Sequence, residues 1–127
     1  MPLKPVSLQT AKMLKESGFR QDSPFNWVEY SSEFMPKVCF AEYGIDNIRH
    51  IKICSAPTTD ELLEEIPYAL RYDDADYWFQ IQKLKHESYD VRYSDWQHMK
   101  VKKMFQDESL PEALAQMWLY LKKENLL

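Results

Sequence analysis

The sequence contains only two glycines, and this shortage excludes several classes of enzyme. Phosphate-binding loops, dinucleotide-binding fingerprints and the nucleophile elbow of hydrolases need clustered glycines, because their backbones turn with positive φ or approach a ligand closely. Gly18 and Gly44 are isolated from each other. The sequence therefore excludes Walker-type, Rossmann-type and α/β-hydrolase chemistry.

Cysteines and long apolar runs are also scarce. Cys39 and Cys54 lie in strand-like segments without a CxxC spacing, which favours two reduced thiols in a cytosolic protein. A cross-strand disulfide between them is the geometric alternative. The first ten residues lack the apolar core of a secretory signal, and the longest charge-free run covers only the nine residues 113–121. We therefore expect a cytoplasmic protein without a membrane span.

The remaining composition is typical of one folded domain. The 127 residues are 45% apolar, 14% aromatic and 28% charged. This length suffices for one hydrophobic core and is short for two domains, so we expect a single domain over residues 1–127. The net charge of −4 argues against binding nucleic acid through the overall field, and leaves only a local basic patch for that role.

Three segments carry the signals of amphipathic helices. Each follows a residue whose side chain can cap a helix: Ser7, Thr58 and Ser109. The second and third of these are followed three residues later by Glu61 and Glu112, which is the spacing of a reciprocal capping box. Gly18 stands where a left-handed residue would end the first helix, and Pro67 interrupts the second.

Between the helices, β-branched and aromatic residues indicate strands. The predicted strands are 25–31, 37–42, 48–54, 77–85 and 89–93, with 97–105 as a less regular candidate. The short polar connections favour hairpins. We therefore expect an α+β fold of order α-β-β-β-α-β-β-(β)-α, with a largely antiparallel sheet of four to six strands sandwiched by about three helices.

Two stretches around the predicted helix caps are similar to a known family. The segments APTTDELLEEIP and ESLPEALAQMWLYLKKENLL, an opening helix that finishes in SGF, and an early Phe-Asn-Trp-Val strand resemble small uncharacterised proteins of phages, prophages and Bacteroides-type bacteria. These proteins carry the phage α-β-α sandwich domain. The resemblance covers about Leu8 to Leu121 and implies an antiparallel sheet between helical layers, in a bacterial or phage protein of unknown activity. It implies no catalytic residue.

The residues that commonly carry catalysis or bind metals form no recognisable motif. Three aspartates stand close together, at 73, 74 and 76, but no glycine or terminal glutamate completes a calcium loop, so a solvated turn is favoured. His50, His86 and His98 lack the spacing of zinc ligands, and no spacing pairs them with the two cysteines. We assign no catalytic residue, no metal ligand and no cofactor.

Charge is segregated along the chain. Residues 60–76 hold seven acids and one arginine, whereas residues 83–103 hold six bases and three acids. The second segment combines cations and aromatic rings, as phosphate contact and base stacking require. The candidate nucleic-acid residues are Trp96, His98, Lys100, Lys102 and Lys103. An edge strand whose lysines prevent aggregation explains the same residues and is the favoured interpretation.

Four tryptophans, eight tyrosines and six phenylalanines exceed what one small core needs, so some must reach the surface. A candidate protein-contact surface comprises Tyr68, Tyr72, Tyr77 and Trp78. The same residues can instead cover the end of the sheet beneath a loop.

These observations favour a non-enzymatic protein that acts through contact with a protein partner or with a second copy of itself. A nucleic-acid-binding accessory protein is the alternative, and an enzyme with a small cleft and no linear motif is a third hypothesis.

Overall fold

The computed structural model describes residues 6–30, 37–40, 50–72, 74–95, 97 and 99–127. The α-helices in these ranges are α1 (Leu8–Glu16), α2 (Thr59–Glu65) and α3 (Leu110–Lys123). The strands are β1 (Phe25–Tyr30), β2 (Lys37–Phe40), β3 (His50–Ser55), β4 (Ala69–Tyr72), β5 (Ala75–Lys83), β6 (Tyr89–Asp95) and β7 (Lys100–Asp107). The predicted turn at 31–33 and the predicted loop around Gly44 lie outside the described residues.

The described strands form two antiparallel sheets. The first sheet has the order β2-β1-β3 and the second has the order β4-β5-β6-β7. The predicted α+β class is confirmed and the order of helices and strands matches apart from the additional strand β4, while the strands are divided between two sheets where the sequence predicts one. The division falls at α2 and Pro67, after which the chain pairs locally with β5 and does not return to β3.

The ends of α1 and α3 are closed by the same hydrogen-bonding pattern. After α1, Gly18 has φ +93° and the N–H of Phe19 donates to the carbonyl of Leu14 at 2.8 Å. After α3, Asn125 has φ +56° and the N–H of Leu126 donates to the carbonyl of Leu121 at 2.8 Å. Both ends are Schellman motifs, which satisfy the last helical carbonyls through one left-handed residue.

The predicted N-terminal caps form, but Glu112 has a different role from the expected one. Thr58 and Glu61 make the full capping box of α2. At α3 the Ser109 hydroxyl accepts from the backbone N–H of Glu112, whereas the Glu112 carboxylate reaches α1. There it accepts hydrogen bonds from the Ser7 backbone N–H and, at 2.7 Å, from the Thr10 hydroxyl.

One hydrophobic core contacts both sheets and all three helices. It contains Leu14 of α1, Cys54 of β3, Leu62 of α2 and Tyr93 of β6, all fully buried. From α3 it receives Leu114, Met117, Trp118 and Leu121. Because α3 supplies the largest share of this core, the position of the second sheet depends mainly on that helix.

The cysteines lie on different strands of the first sheet, with β1 between them. Cys39 of β2 is opposite Asn26 of β1, and Cys54 of β3 is opposite Trp27. Backbones separated by one intervening strand are about 10 Å apart, beyond the reach of a disulfide.

Candidate protein-contact surface

The second sheet has one face against α3 and one face that carries exposed side chains. On the face towards α3, Val91 and Tyr93 are fully buried, and the ring of Phe105 lies 6.3 Å from the ring of Tyr120. Side chains alternate along strands, so the residues between these point the other way. We call that second side the open face. Its exposed large apolar residues are Trp78, Val101 and Met104.

Register aligns the residues of the open face in rows across three strands. Trp78 of β5 is opposite Ser94 of β6, which is opposite Val101 of β7. The next row contains Gln80, Arg92 and Met104, and the row after it contains Gln82, Asp90 and Gln106. The open face therefore presents aromatic and aliphatic side chains at one end and polar side chains at the other.

Two aromatic rings meet at the apolar end of the open face. Tyr68 is 79% exposed, Trp78 is 46% exposed, and their ring centroids are 6.2 Å apart at an interplanar angle of 31°. Aromatic side chains left in water at this exposure bury large areas when a partner covers them, at a small cost in side-chain entropy. We call these two residues the Tyr68–Trp78 pair.

An ion pair between the buried Asp90 and the half-buried Arg92 lies towards the polar end of the open face. Arg92 donates from Nε to Asp90 Oδ1 and from Nη2 to Asp90 Oδ2, both at 2.7 Å. Gln106 Nε2 donates to the same Oδ2 at 3.0 Å, and Asp90 has no exposed area. The two-point geometry is the strongest form of arginine–carboxylate contact and fixes the guanidinium in one orientation.

The contact between Asp90 and Arg92 keeps both groups in their ionised forms. The hydrogen bonds from Arg92 hold the pKa of Asp90 below its usual range, and the hydrogen bond to Asp90 raises the pKa of Arg92. Both groups therefore stay ionised at neutral pH and neutralise each other. Arg92 thus gives the open face a rigid planar surface with little net charge, a character that suits a protein interface.

The four predicted contact residues do not share one surface. Tyr68 and Trp78 lie together, whereas Tyr77 is partly buried against the core. Tyr72 is 41% exposed, and Lys102 Nζ lies 3.4 Å above its ring centroid. In a flat sheet their strands, β4 and β7, would be about 14 Å apart, so this contact indicates that the sheet curves.

The predicted basic segment forms β7 from Lys100 onwards, and among the strands that the structure describes β7 is the last of the second sheet, as expected for an edge strand. Lys100 is exposed, while Lys102 lies over Tyr72. Lys103 Nζ lies 5.2 Å from the ring centroids of both Phe105 and Tyr120. Trp96 and His98 lie outside the described residues. Two of the three lysines are therefore engaged with rings of their own chain, in cation–π geometry.

Of the other residues considered for chemistry, those whose side chains the structure describes do not converge. Cys54 is fully buried, whereas a nucleophilic thiol needs exposure, and His86 is exposed on the β5–β6 hairpin. Within the described ranges, no group of three or more His, Cys, Asp or Glu side chains is placed to hold a metal ion. Asp74 lies in the β4–β5 turn with φ +61°, and Asp73 lies outside the described residues.

Sequence reasoning missed the Asp90–Arg92–Gln106 cluster. Asp90 and Arg92 lie at polar positions of the predicted strand 89–93, and no interaction between them was predicted. The available signal was the spacing of two opposite charges at i and i+2, which puts both on one face of a strand. Gln106 comes from the next strand, so only the β6–β7 register could reveal it.

Comparisons with known proteins return no match among family models, curated proteins or solved structures. The resemblance to phage α-β-α sandwich proteins therefore stays a prediction. Among the helices that the structure describes, none is long and apolar enough to cross a membrane.

Proposed function

We propose that this protein acts by binding another protein through the open face of its second sheet. The observation that carries the proposal is the Tyr68–Trp78 pair, two aromatic rings in contact with each other and largely outside the core. The proposal retains the phage-type family and the cytoplasmic location expected from the sequence, and both of these rest on the sequence alone.

The composition around the pair supports protein contact. Met104 and Val101 extend the apolar area along the open face, and Arg92 lies opposite Met104, in the row next to the polar one. Tryptophan, tyrosine, methionine and arginine are the residues enriched in the cores of protein interfaces. Arg92 is already positioned by Asp90, so a partner that packs on it loses little side-chain entropy.

The charge pattern distinguishes this surface from a nucleic-acid interface. Phosphate contact needs free cations, but Arg92 is neutralised by Asp90 and Arg71 lies 3.6 Å from Asp76. The open face is therefore suited to a partner with a mainly apolar surface. This agrees with the chain's net charge of −4.

A photo-crosslinking amino acid at position 68 tests the proposal in cells that express the protein. We expect a discrete crosslinked species whose yield falls when Trp78 is also changed to Ala. The matched control places the same crosslinker at Lys85, an exposed residue in the β5–β6 connection, beyond the far end of β5. The recovered protein is then purified and its binding to the uncrosslinked chain is measured directly.

The control position decides how the result is interpreted. Equal crosslinking to the same proteins from positions 68 and 85 would show non-specific proximity and would contradict the proposal. A recovered protein that fails to bind when both components are pure would contradict it as well.

A further inference from the structure

In the described part of the chain, no strand pairs with the outer edge of β7. β7 pairs with β6 on one side and is the last strand of its sheet in the described part of the chain. It is eight residues long and contains no proline, whereas β4 at the opposite edge has only four residues. A long edge strand without proline offers a row of backbone donors and acceptors to another strand.

The sequence of this edge is self-complementary in charge. Residues 102–108 read Lys-Lys-Met-Phe-Gln-Asp-Glu, with two bases before the central Phe105 and two acids after it. An antiparallel pair of identical strands centred on Phe105 places Lys103 opposite Asp107 of the second copy. Continued by one residue beyond the regular segment Lys103–Asp107 on each side, the same alignment places Lys102 opposite Glu108 of the second copy, so all four outer pairs unite opposite charges.

We propose that a second copy of this chain pairs with β7 in this antiparallel register, with Phe105 opposite Phe105. The two four-stranded sheets then form one continuous sheet across a two-fold axis, which is the self-complementary contact of a symmetric dimer.

The backbone of the paired segment is regular. Residues Lys103 to Asp107 follow β6 in unbroken register, from Tyr93 to Tyr89. The irregularity in the β6–β7 pairing lies at Lys102, which has no partner on β6, because Tyr93 is opposite Lys103 and Ser94 is opposite Val101. Five consecutive residues centred on Phe105 are therefore straight enough to accept a second strand.

The charged side chains also specify the register. Parallel pairing of the same strands places lysines opposite lysines and acids opposite acids, which is destabilising. The lysines that discourage general edge-to-edge association thus permit one alignment with an identical chain. Lys103 Nζ lies 5.2 Å from the ring centroids of both Phe105 and Tyr120. These contacts hold its ammonium group close to β7, where the second copy would pair.

The proposed dimer is independent of the Tyr68–Trp78 pair but has a consequence for it. Residues opposite each other in this register have the same parity, so Met104 and Gln106 of the two copies lie on the same side of the joined sheet. Both open faces then point in one direction. A dimeric partner can engage both at once and gain from effective concentration.

Sedimentation velocity over a series of protein concentrations tests the dimer, using the purified wild-type chain. We expect the mass to rise from 15.2 kDa towards twice that value. The first variant carries Lys102→Glu and Lys103→Glu, and the second carries Asp107→Lys and Glu108→Lys. Each variant alone juxtaposes like charges, so we expect its dimer dissociation constant to rise about tenfold or more.

An equimolar mixture of the two variants provides the decisive arm. Their opposite charges face each other in every outer pair, so we expect the dimer to return in the mixture. Its return also shows that both variants are folded. The matched control, Lys12→Glu with Lys85→Glu, makes the same change in charge at exposed residues away from β7 and is expected to dimerise like the wild type.

Three results would overturn the inference. The first is a wild type that remains at 15.2 kDa at every concentration. The second is that either charge variant, measured alone, dimerises as well as the wild type. The third is that the mixture of the two variants stays monomeric while the wild type dimerises. Trp78→Ala is expected to leave the dimer unchanged, so failure of the dimer and failure of the contact surface are separate outcomes.

Discussion

At the scale of single residues, Asp90 is the most constrained charge that the structure describes. It has no exposed area and accepts three hydrogen bonds from Arg92 and Gln106. We expect Asp90→Asn to lower the free energy of unfolding by about 2–3 kcal/mol at pH 7, because it leaves the Arg92 guanidinium without its counter-charge. Urea denaturation measures this change. The control, Asp76→Asn, breaks an exposed pair and should cost less than about 1 kcal/mol.

The same residue gives a pH dependence with a defined sign. Its pKa is lowered in the folded state, chiefly by Arg92, so the unfolded chain binds the proton more readily. The stabilisation is therefore complete above the ordinary carboxyl pKa of about 3.9 and is lost as pH falls through the lowered value. The stability difference between the wild type and Asp90→Asn should shrink below about pH 4. A difference that is constant from neutral to acidic pH would contradict the assignment.

Position 18 requires glycine because its backbone is left-handed, and not because a side chain there would clash with a neighbour. Its φ is +93°, and a Cβ placed there would meet only Lys122 Nζ, at 4.0 Å. We expect Gly18→Ala to destabilise the protein by about 1 kcal/mol through strain in the left-handed region, and Asn125→Gly to be neutral or slightly stabilising. Thermal unfolding distinguishes the two. Equal effects of both substitutions would count against the common Schellman geometry.

At the scale of elements, Glu112 connects the first turn of α3 to the first turn of α1. Its carboxylate accepts from the Ser7 N–H and the Thr10 hydroxyl. We expect Glu112→Ala to cost about 1–2 kcal/mol and to speed amide hydrogen exchange in α1 more than in α2. Glu124→Ala, at the exposed end of α3, is the control. Uniform acceleration in α1 and α2 would show that the contact does not act specifically on α1.

The helices could be predicted from sequence because their signals are local. Ser7, Thr58 and Ser109 cap the helices as predicted, and Gly18 ends the first one. Such signals depend on residues three or four positions apart, so they need no knowledge of distant contacts. Glu112 shows the limit, because its cap spacing is correct but its carboxylate finds partners in the other helix.

Strand pairing was harder to predict. The four residues of β4 begin two positions after Pro67 and carry too little alternation to be recognised, so no strand was predicted there. The division into two sheets depends on which strands pair across long sequence separations, and no local pattern encodes that. Of the four residues predicted to form one contact surface, only two lie together in the structure. Tyr68 and Trp78 meet as expected, whereas Tyr72 and Tyr77 lie elsewhere.

At the scale of the whole molecule, the charge distribution argues for protein contact over nucleic-acid binding. The net charge is −4, and Lys102 and Lys103 lie over aromatic rings. We expect no salt-dependent binding in fluorescence anisotropy with labelled DNA or RNA oligomers at low ionic strength. Binding that weakens with salt and disappears when Lys100, Lys102 and Lys103 are changed to Glu would instead establish the basic strand as a nucleic-acid site.

The central claim is that the Tyr68–Trp78 pair binds a protein. It is tested most directly by comparing the affinities of the wild type and Trp78→Ala for the purified protein recovered by crosslinking at position 68. Removing an interface aromatic ring costs a large share of the binding energy, so we predict that the dissociation constant rises about tenfold or more. The thermal midpoint should stay close to that of the wild type, because Trp78 is 46% exposed. Equal affinities for the two proteins would contradict the account.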